Sequence, residues 1–276
     1  MNSSLLISTY NWPEALRLIL ETVRIQTVSP LEVVIADDGS GPETREVITE
    51  FRDILDIPIK HVWQEDRGFR ASRIRNLAIK ECEAEYIIQI DGDTLLHPRF
   101  IEDHHSLALD NHFISGSRVL VGESATHEAI KSGKFTFSPI SRGIKNRLNA
   151  LHFPELGSRY SVNGLPPEEL IYKIRGCNMS FWKRDLLAIN GYDENFEGWG
   201  REDSELVWRL LVKGCFLRQV KLAAIQYHLH HKPNSRNHFQ ENHLRLLEVM
   251  ASATYYAENG IFKEEFDTIP SIVLPE

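Results

Sequence analysis

Apolar positions in the first 110 residues switch repeatedly between two periods. Short apolar runs at 4–8, 31–36 and 85–90 have strand length, and 57–63 alternates apolar with polar as a strand does. Helical patterns lie between them. In 11–26, Asn11 can cap, Pro13 suits the first turn, and Ala15, Leu16, Ile19, Leu20 and Val23 recur at helical spacing. Gly41-Pro42 leads into a second helix carrying Val47, Ile48, Phe51 and Leu55, and 71–82 and 98–109 read as two more. Four strand–helix units in succession predict an α/β fold with a mostly parallel, Rossmann-like sheet covered by helices on both faces. Ligands of such sheets collect outside the carboxyl ends of the strands. Asp37-Asp38 after the second strand and Asp91-Gly92-Asp93 after the fourth therefore reach one crevice.

The pattern then loosens. Residues 111–175 are rich in Gly, Ser and Pro and read mainly as long surface loops. Order returns with a strand and helix over 173–192, a helix over 201–214 ending at Gly214, and strand material over 216–232. A C-terminal helix is expected over 234–260, capped by Asn234 or Ser235. Trp182 and Trp208 read as core, while His104, His105 and His243 read as surface residues.

Composition narrows the function classes. The chain has 276 residues, 42% hydrophobic and 25% charged, with a formal charge of −8. That balance argues against a general nucleic-acid binder, which needs a basic excess. The basic stretch Lys131, Lys134, Arg142, Lys145 and Arg147 reads as a solvated face. Three widely spaced cysteines, Cys82, Cys177 and Cys215, suit reduced thiols in a cytoplasmic protein better than a disulfide framework. No apolar run approaches the roughly 18 residues of a membrane span. Met1 runs into Leu5–Ser8 without a basic leader or cleavage site, so no signal peptide is expected.

The chemistry begins at Asp91-Gly92-Asp93. Two carboxylates so close repel each other, and a divalent cation resolves the conflict. The glycine lets a bulky ligand approach. The plain alternative is an Asp-Gly turn after a strand.

The segments "LISTYNWPEAL", "EVVIADDGS", "GFRASRIRNLAI" and "YIIQIDGDTLLHPRFI", in that order, resemble a family 2 glycosyltransferase with the GT-A fold. Farther on, "GCNMSFWKRDLLAINGYDENFEGWGREDSELVWRL" resembles the galactosyltransferase-like segment of β-1,4-galactosyltransferases and bacterial chondroitin polymerases. The resemblance covers about 3–232 and divides the chain into a GT-A domain at 1–232 and a C-terminal helical extension at 233–276. Within the domain, 1–110 forms the nucleotide-binding half and 111–232 the acceptor half, the galactosyltransferase-like segment lying at 173–220.

The resemblance implies an inverting transfer of a sugar from a nucleotide sugar, with UDP favoured, to a hydroxyl of an oligosaccharide or lipid-linked glycan. Mn²⁺ or Mg²⁺ would bridge the diphosphate to Asp93, with Asp91 nearer the ribose or serving as an alternative ligand. A histidine would complete the metal shell: His228 is the best match, with His230 and His231 as runners-up. Thr9 and Tyr10 would pack on the base, and Asp38, with Asp37 close behind, would accept from uracil or ribose. One of Arg70 and Arg75 is expected to meet the diphosphate or base, a guanidinium fork suiting phosphate; Arg73 reads as a solvated helix charge. In "GWGRED", glycines such as Gly200 let a sugar approach the Trp199 indole, and Glu202 and Asp203 open a helix whose dipole favours carboxylates. The resemblance implies that Asp203 takes the acceptor proton and that Glu202 holds the acceptor or donor sugar. The product implied is a bacterial surface polysaccharide or lipopolysaccharide, made in the cytoplasm, with peripheral membrane contact if the acceptor is lipid-linked. Two other readings remain: a non-catalytic glycan or sugar-nucleotide binder, and a phosphatase of the haloacid dehalogenase type, whose motif would need its glycine after the second Asp.

Overall fold

The computed structural model describes residues 1–157, 166–232, 235–252 and 254–263, together with the backbone of 272–274. The first half runs β1 (Ser3–Thr9), α1 (Pro13–Arg24), β2 (Glu32–Asp37), α2 (Pro42–Ile54), β3 (Ile59–Trp63), α3 (Ala71–Glu81), β4 (Tyr86–Asp91), β5 (Thr94–Leu96) and α4 (Phe100–Leu107). The second half runs β6 (His112–Ser115), β7 (Ser117–Val121), α5 (Glu123–Ser132), β8 (Ile144–Lys145), a 3-10 turn (Arg147–Ala150), α6 (Pro154–Gly157) and α7 (Pro167–Leu170). It continues with β9 (Asn178–Trp182), α8 (Lys183–Ala188), α9 (Glu202–Lys213), β10 (Phe216–Gln219), β11 (Ile225–His228), α10 (Phe239–Ser252) and β12 (Ile272–Leu274).

Among the described residues the strands form two sheets. The large one has the order β10-β6-β9-β4-β1-β2-β3-β12. β4, β1, β2 and β3 are parallel, β9 is antiparallel between β4 and β6, and β10 is parallel to β6. Strand alternation sends Leu5, Ile7, Val33, Ile35, Ile88 and Ile90 into a core against α1 and α2. Leu6, Val34, Ala36 and Ile87 enter the opposite core with α3, α8 and α9. With nearly every side chain on both faces buried, these strands read as continuous apolar runs. The small sheet, β5-β11-β7-β8, continues the carboxyl edge of β4.

Several expectations change. "GESATHEAIKSG" lies not in a loop but largely in α5, which closes at Gly133 in the left-handed conformation at φ 69°. Its flanking glycines and interspersed Ser and Thr hide a helix in which only Thr126 and Ala129 are buried. The strand material of 216–232 is two strands belonging to different sheets. The C-terminal helix begins at Phe239, four residues past Ser235, and ends at Ser252; Asn234 lies outside the described residues. His104 is not on the surface: it is fully buried, its ring nitrogens facing the Ser180 hydroxyl at 2.8 Å and Asn178 Oδ1 at 3.1 Å. Burial pushes its pKa down to about 3, so the ring is neutral. Arg73 is likewise buried rather than solvated, and it donates to Gln64 Oε1 at 2.6 Å. Trp208 is buried, whereas Trp182 sits at the rim on β9, edge-on to Tyr86 at 5.1 Å.

A buried ion pair positions the second half of the site. Arg209 and Glu205 sit one turn apart on α9, each side chain 1% exposed. Arg209 also donates to the Ile189 and Gly191 carbonyls at 2.7 and 2.8 Å. α9 is thereby fixed to the turn after α8, and breaking such a pair on one side costs about 3–5 kcal/mol.

Candidate active site

Four chain segments converge at the carboxyl edge of the large sheet. β4 ends at Asp91, and Gly92 turns the chain at once into β5. A Cβ at Gly92 would lie 2.8 Å from the Ser8 carbonyl oxygen, so only glycine fits this crossing. Asp93 then faces β11: Thr94 pairs with His228, and the Leu229 N–H donates to the Asp93 carbonyl at 2.8 Å.

This register brings the Asp93 carboxylate to His231 Nε2 at 3.1 Å and His228 Nε2 at 3.5 Å. The ligand atoms of all three lie within 4.8 Å of one another. His230 is left out: the strand ends at His228, so alternation no longer applies, and His230 is exposed with its N–H on Thr126 Oγ1. Each imidazole places Nδ1 against a backbone carbonyl, His228 on Leu229 at 2.9 Å and His231 on Lys232 at 2.7 Å. Hydrogen bonding to Asp93 pushes the His231 pKa up to about 9; with the proton on Nδ1 alone, the tautomer that metal-ligating histidines adopt, each Nε2 would be free to hold a cation beside the carboxylate. Asp93 Oδ1 is buried and has no hydrogen-bond partner. A carboxylate whose Oδ2 faces two imidazole nitrogens while its buried Oδ1 has no partner fits a divalent cation, and the donor set of two nitrogens and one carboxylate can hold one. A second group, His97, Asp103 and His152, also converges. Its carboxylate oxygens are engaged by His152 at 2.9 and 3.0 Å and by the Ala224 N–H at 2.8 Å, which ties the segment after β8 to α4.

Arg75 organises the other carboxylates. Reaching up from α3, it donates to Asp91 at 2.9 Å, Asp203 at 3.1 Å and Ser8 Oγ at 3.2 Å, with Glu202 at 3.9 Å. The surrounding anions hold its pKa well above the ordinary value against desolvation. Burial pushes the Asp91 carboxyl up, and Arg75 opposes that rise. Glu202, 7% exposed, is pushed up to about 8 by burial and then by the neighbouring Asp203 charge. Asp203 differs: its side chain is 24% exposed, with Oδ1 on Arg75 and Oδ2 accepting the Gly176 N–H at 3.0 Å. A Cβ at Gly176 would fall 2.1 Å from Asp203 Oδ1.

Of the nucleotide-side residues, Tyr10 is half-exposed and donates to Asp66 at 2.9 Å, while buried Thr9 Oγ1 is unpartnered. Asp38 accepts from Gln64 and from the Arg70 N–H at 2.8 Å. Asp37 is buried, bridging the Ser40 N–H at 2.8 Å and His61 at 2.9 Å, a turn-building role. The Arg70 side chain donates to the Glu65 carbonyl at 2.5 Å. Arg75 and Arg70 therefore serve different places: Arg75 sits among the carboxylates at the edge of β4, Arg70 beside the Asp38 turn.

The loop that carries Trp199 is clamped by residues the sequence did not single out. Arg201, at φ 78°, lies between the rings of Tyr172 at 4.7 Å and Phe239 at 4.8 Å. Trp199 stacks on Phe239 at 5.9 Å, and Asn242 Nδ2 donates to the Glu197 carbonyl at 3.0 Å. Gly200 has φ 113°, and a Cβ there would meet the Phe239 ring at 2.9 Å. Its N–H donates to Glu202 at 3.1 Å. α10 is thus the outer wall of the loop that presents Glu202 and Asp203.

The chain is similar to known proteins over most of its length. Residues 4–161 match the family described as glycosyl transferase family 2, and residues 162–232 match that described as the N-terminal domain of galactosyltransferase. Chondroitin synthase of Escherichia coli is 30% identical over 242 residues, 82% of this chain, and the chain spans 34% of that relative's length. S. aureus TarS 1–349 in complex with UDP-GlcNAc superimposes with a TM-score of 0.57 at 18% identity, over 91% of this chain and 67% of that one. A Pyrobaculum calidifontis mannosyltransferase in complex with GDP-Man and Mn²⁺ does so with a TM-score of 0.54 at 16% identity, over 89% and 61%. At such identities the two structures speak to the fold. Among the described residues, no helix is long and apolar enough to cross a membrane. The strand order, the carboxylates at the edge of β4 and a family match over more than half its length lead to one conclusion: the chain belongs to glycosyl transferase family 2 and has the GT-A fold.

Proposed function

We propose that the chain moves a sugar from a UDP-sugar to a hydroxyl of a glycan acceptor, with inversion, in a reaction that requires a divalent metal. The carrying observation is the Asp93 carboxylate, its Oδ2 facing two imidazole nitrogens and its buried Oδ1 unpartnered, two residues past the Arg75-tethered Asp91. Asp93, His228 and His231 would hold the metal. Two nitrogens beside one carboxylate favour Mn²⁺ over Mg²⁺, which prefers oxygen ligands. Bound there, the ion supplies positive charge for the departing diphosphate.

The remaining roles fall to the chain's own groups. Asp203 takes the proton of the attacking hydroxyl: it is partly exposed, and Arg75 and Gly176 fix both of its oxygens. Arg75 keeps a positive charge between Asp91 and Asp203 and so fixes the spacing between the donor and acceptor sides. Glu202, largely neutral at neutral pH through burial, is a hydrogen-bond donor to a sugar hydroxyl rather than a base. Thr9, Tyr10 and Asp38 line the nucleotide side, and Trp199 the sugar side. The fold shared with a UDP-GlcNAc complex and with a Mn²⁺ complex supports this reading. The likeness to chondroitin synthase supports a polysaccharide as product; synthesis in the cytoplasm, at the membrane face if the acceptor is lipid-linked, belongs to the same proposal.

Isothermal titration of UDP and GDP, and of their sugars, with and without Mn²⁺ tests the reading. Mn²⁺-dependent UDP binding is expected. Binding that ignores both Mn²⁺ and chelator would remove the metal from the scheme.

A further inference from the structure

A cavity of about 200 Å³ opens along the carboxyl edge of the large sheet, on the far flank from the nucleotide side. It lies where β6 and β10 end and the antiparallel β9 begins. β9 and β6 are the first and second strands beyond β4 in the order β10-β6-β9-β4-β1-β2, so the cavity stands about 10 Å from Asp91 at two strand spacings. Thr9 and Asp38 end β1 and follow β2 on the opposite flank of β4.

Its lining carries Arg118, Lys173, Arg175 and Lys221, and no carboxylate. Among the described residues none of the four is in an ion pair, and the side chains of Arg118, Lys173 and Lys221 make no hydrogen bond. Arg175 is held by its own segment, donating to the Ile174 carbonyl at 2.7 Å and the Tyr172 carbonyl at 3.2 Å. Arg118 is set from behind: its carbonyl accepts from Asn146 at 2.8 Å and Asn149 at 3.1 Å. Four cations from three separate segments thus share one concave wall in a chain of net charge −8. Such a wall focuses positive potential on whatever enters it. Guanidinium and ammonium groups without partners suit a carboxylate or phosphate.

The cavity is continuous with the catalytic edge. Arg175 and Cys177 line it, and Gly176 between them donates its N–H to Asp203. An acceptor that presents a hydroxyl to Asp203 can extend over Gly176 toward these cations, away from Thr9 and Asp38; Arg118 pairs with Gln226, so the cavity also borders the strand that carries His228.

We propose that this cavity is an acceptor subsite for an anionic group, a sugar carboxylate or a phosphate, carried close to the hydroxyl that reacts. The assignment rests on the glycosyl-transfer reading above and narrows its acceptor class. The test measures binding to the full chain of three probes: a uronic-acid-bearing tetrasaccharide, its carboxyl-reduced counterpart and a ribitol-phosphate oligomer. The same probes are titrated into the Lys173→Glu/Lys221→Glu variant, with thermal melting to confirm that it is folded. Mn²⁺-dependent UDP binding of the unaltered chain is measured alongside.

At least one anionic probe should bind about tenfold or more tightly than the neutral one, and the preference should vanish in the variant and weaken with salt. Tighter binding of the uronic acid assigns the subsite to carboxylates, and tighter binding of the ribitol phosphate to phosphates. Equal binding of charged and neutral probes, or a preference that survives in the folded variant, overturns the subsite. If that occurs while UDP still binds with Mn²⁺, only the subsite falls; loss of UDP binding condemns the transfer reading itself.

Discussion

Two neighbouring parts of the large sheet's carboxyl edge carry opposite charge and handle it in opposite ways. Toward the catalytic edge, Asp91, Glu202 and Asp203 are crowded together and cross-linked by one buried Arg75. Toward β10, Arg118, Lys173, Arg175 and Lys221 surround a cavity without an ion pair among the described residues. The first group is rigid, each carboxylate held by named donors. The second is solvated and adaptable, its lysines on long stems. The difference separates a site that must fix geometry to within a bond length from one that must only recognise charge. It also shows why a net charge of −8 describes neither part.

The comparison breaks first at Asp203. Asp203→Asn should lower turnover by about 10²–10⁴-fold while nucleotide affinity stays near wild type. Steady-state transfer and calorimetry together check this, and near-normal turnover would move the base elsewhere. Asp93→Asn comes next. Loss of the oxygen that faces both imidazoles should weaken Mn²⁺-dependent UDP binding by at least ~10–100-fold, with His228→Ala and His231→Ala each raising the Mn²⁺ requirement. Unchanged Mn²⁺ titration curves would exclude these ligands.

A smaller effect is expected at the loop clamp. Phe239→Ala removes a ring stack on Trp199 and a cation–π contact with Arg201, together worth about 1–2 kcal/mol. Transfer should fall several-fold while Mn²⁺-dependent UDP binding holds; a parallel loss of both would mean that α10 supports the whole fold rather than the loop. The smallest effect lies in pH. The Glu202 carboxyl is raised in the folded chain to about 8, against about 4.3 unfolded. Its contribution to stability is therefore full below about pH 4 and is lost as pH rises through the folded value. Glu202→Gln should raise Tm by a few degrees more at pH 8 than at pH 5. Melting curves that shift equally at both would show that Glu202 titrates normally.

The parallel core was legible because α1 to α3 and the strands between them announce themselves by period. Asp91, Asp93, Glu202, Asp203 and His228 are candidates through the family resemblance, and each lies next to the end of a strand or the start of a helix. His231 was only a runner-up, since a strand period cannot say where β11 stops. Arg75 was selected for phosphate, yet its present partners are three carboxylates that lie 16 to 128 positions away. The cation-lined cavity left no local signal: its four charges come from segments spread between Arg118 and Lys221, and only the side-by-side arrangement of β6, β9 and β10 unites them. Buried His104 was misread for the same reason, its partners Asn178 and Ser180 being more than 70 positions distant.

The placement of α10 redraws the smallest piece that can be handled as a working unit. The family likeness stops at residue 232, but the aromatic ring that holds Arg201 in its left-handed turn belongs to residue 239. A fragment cut where the likeness ends would keep every candidate ligand and base, yet leave the bend that leads from α8 into Asp203 open to water on one side. Domain transplants into longer synthases should accordingly carry the chain through Ser252.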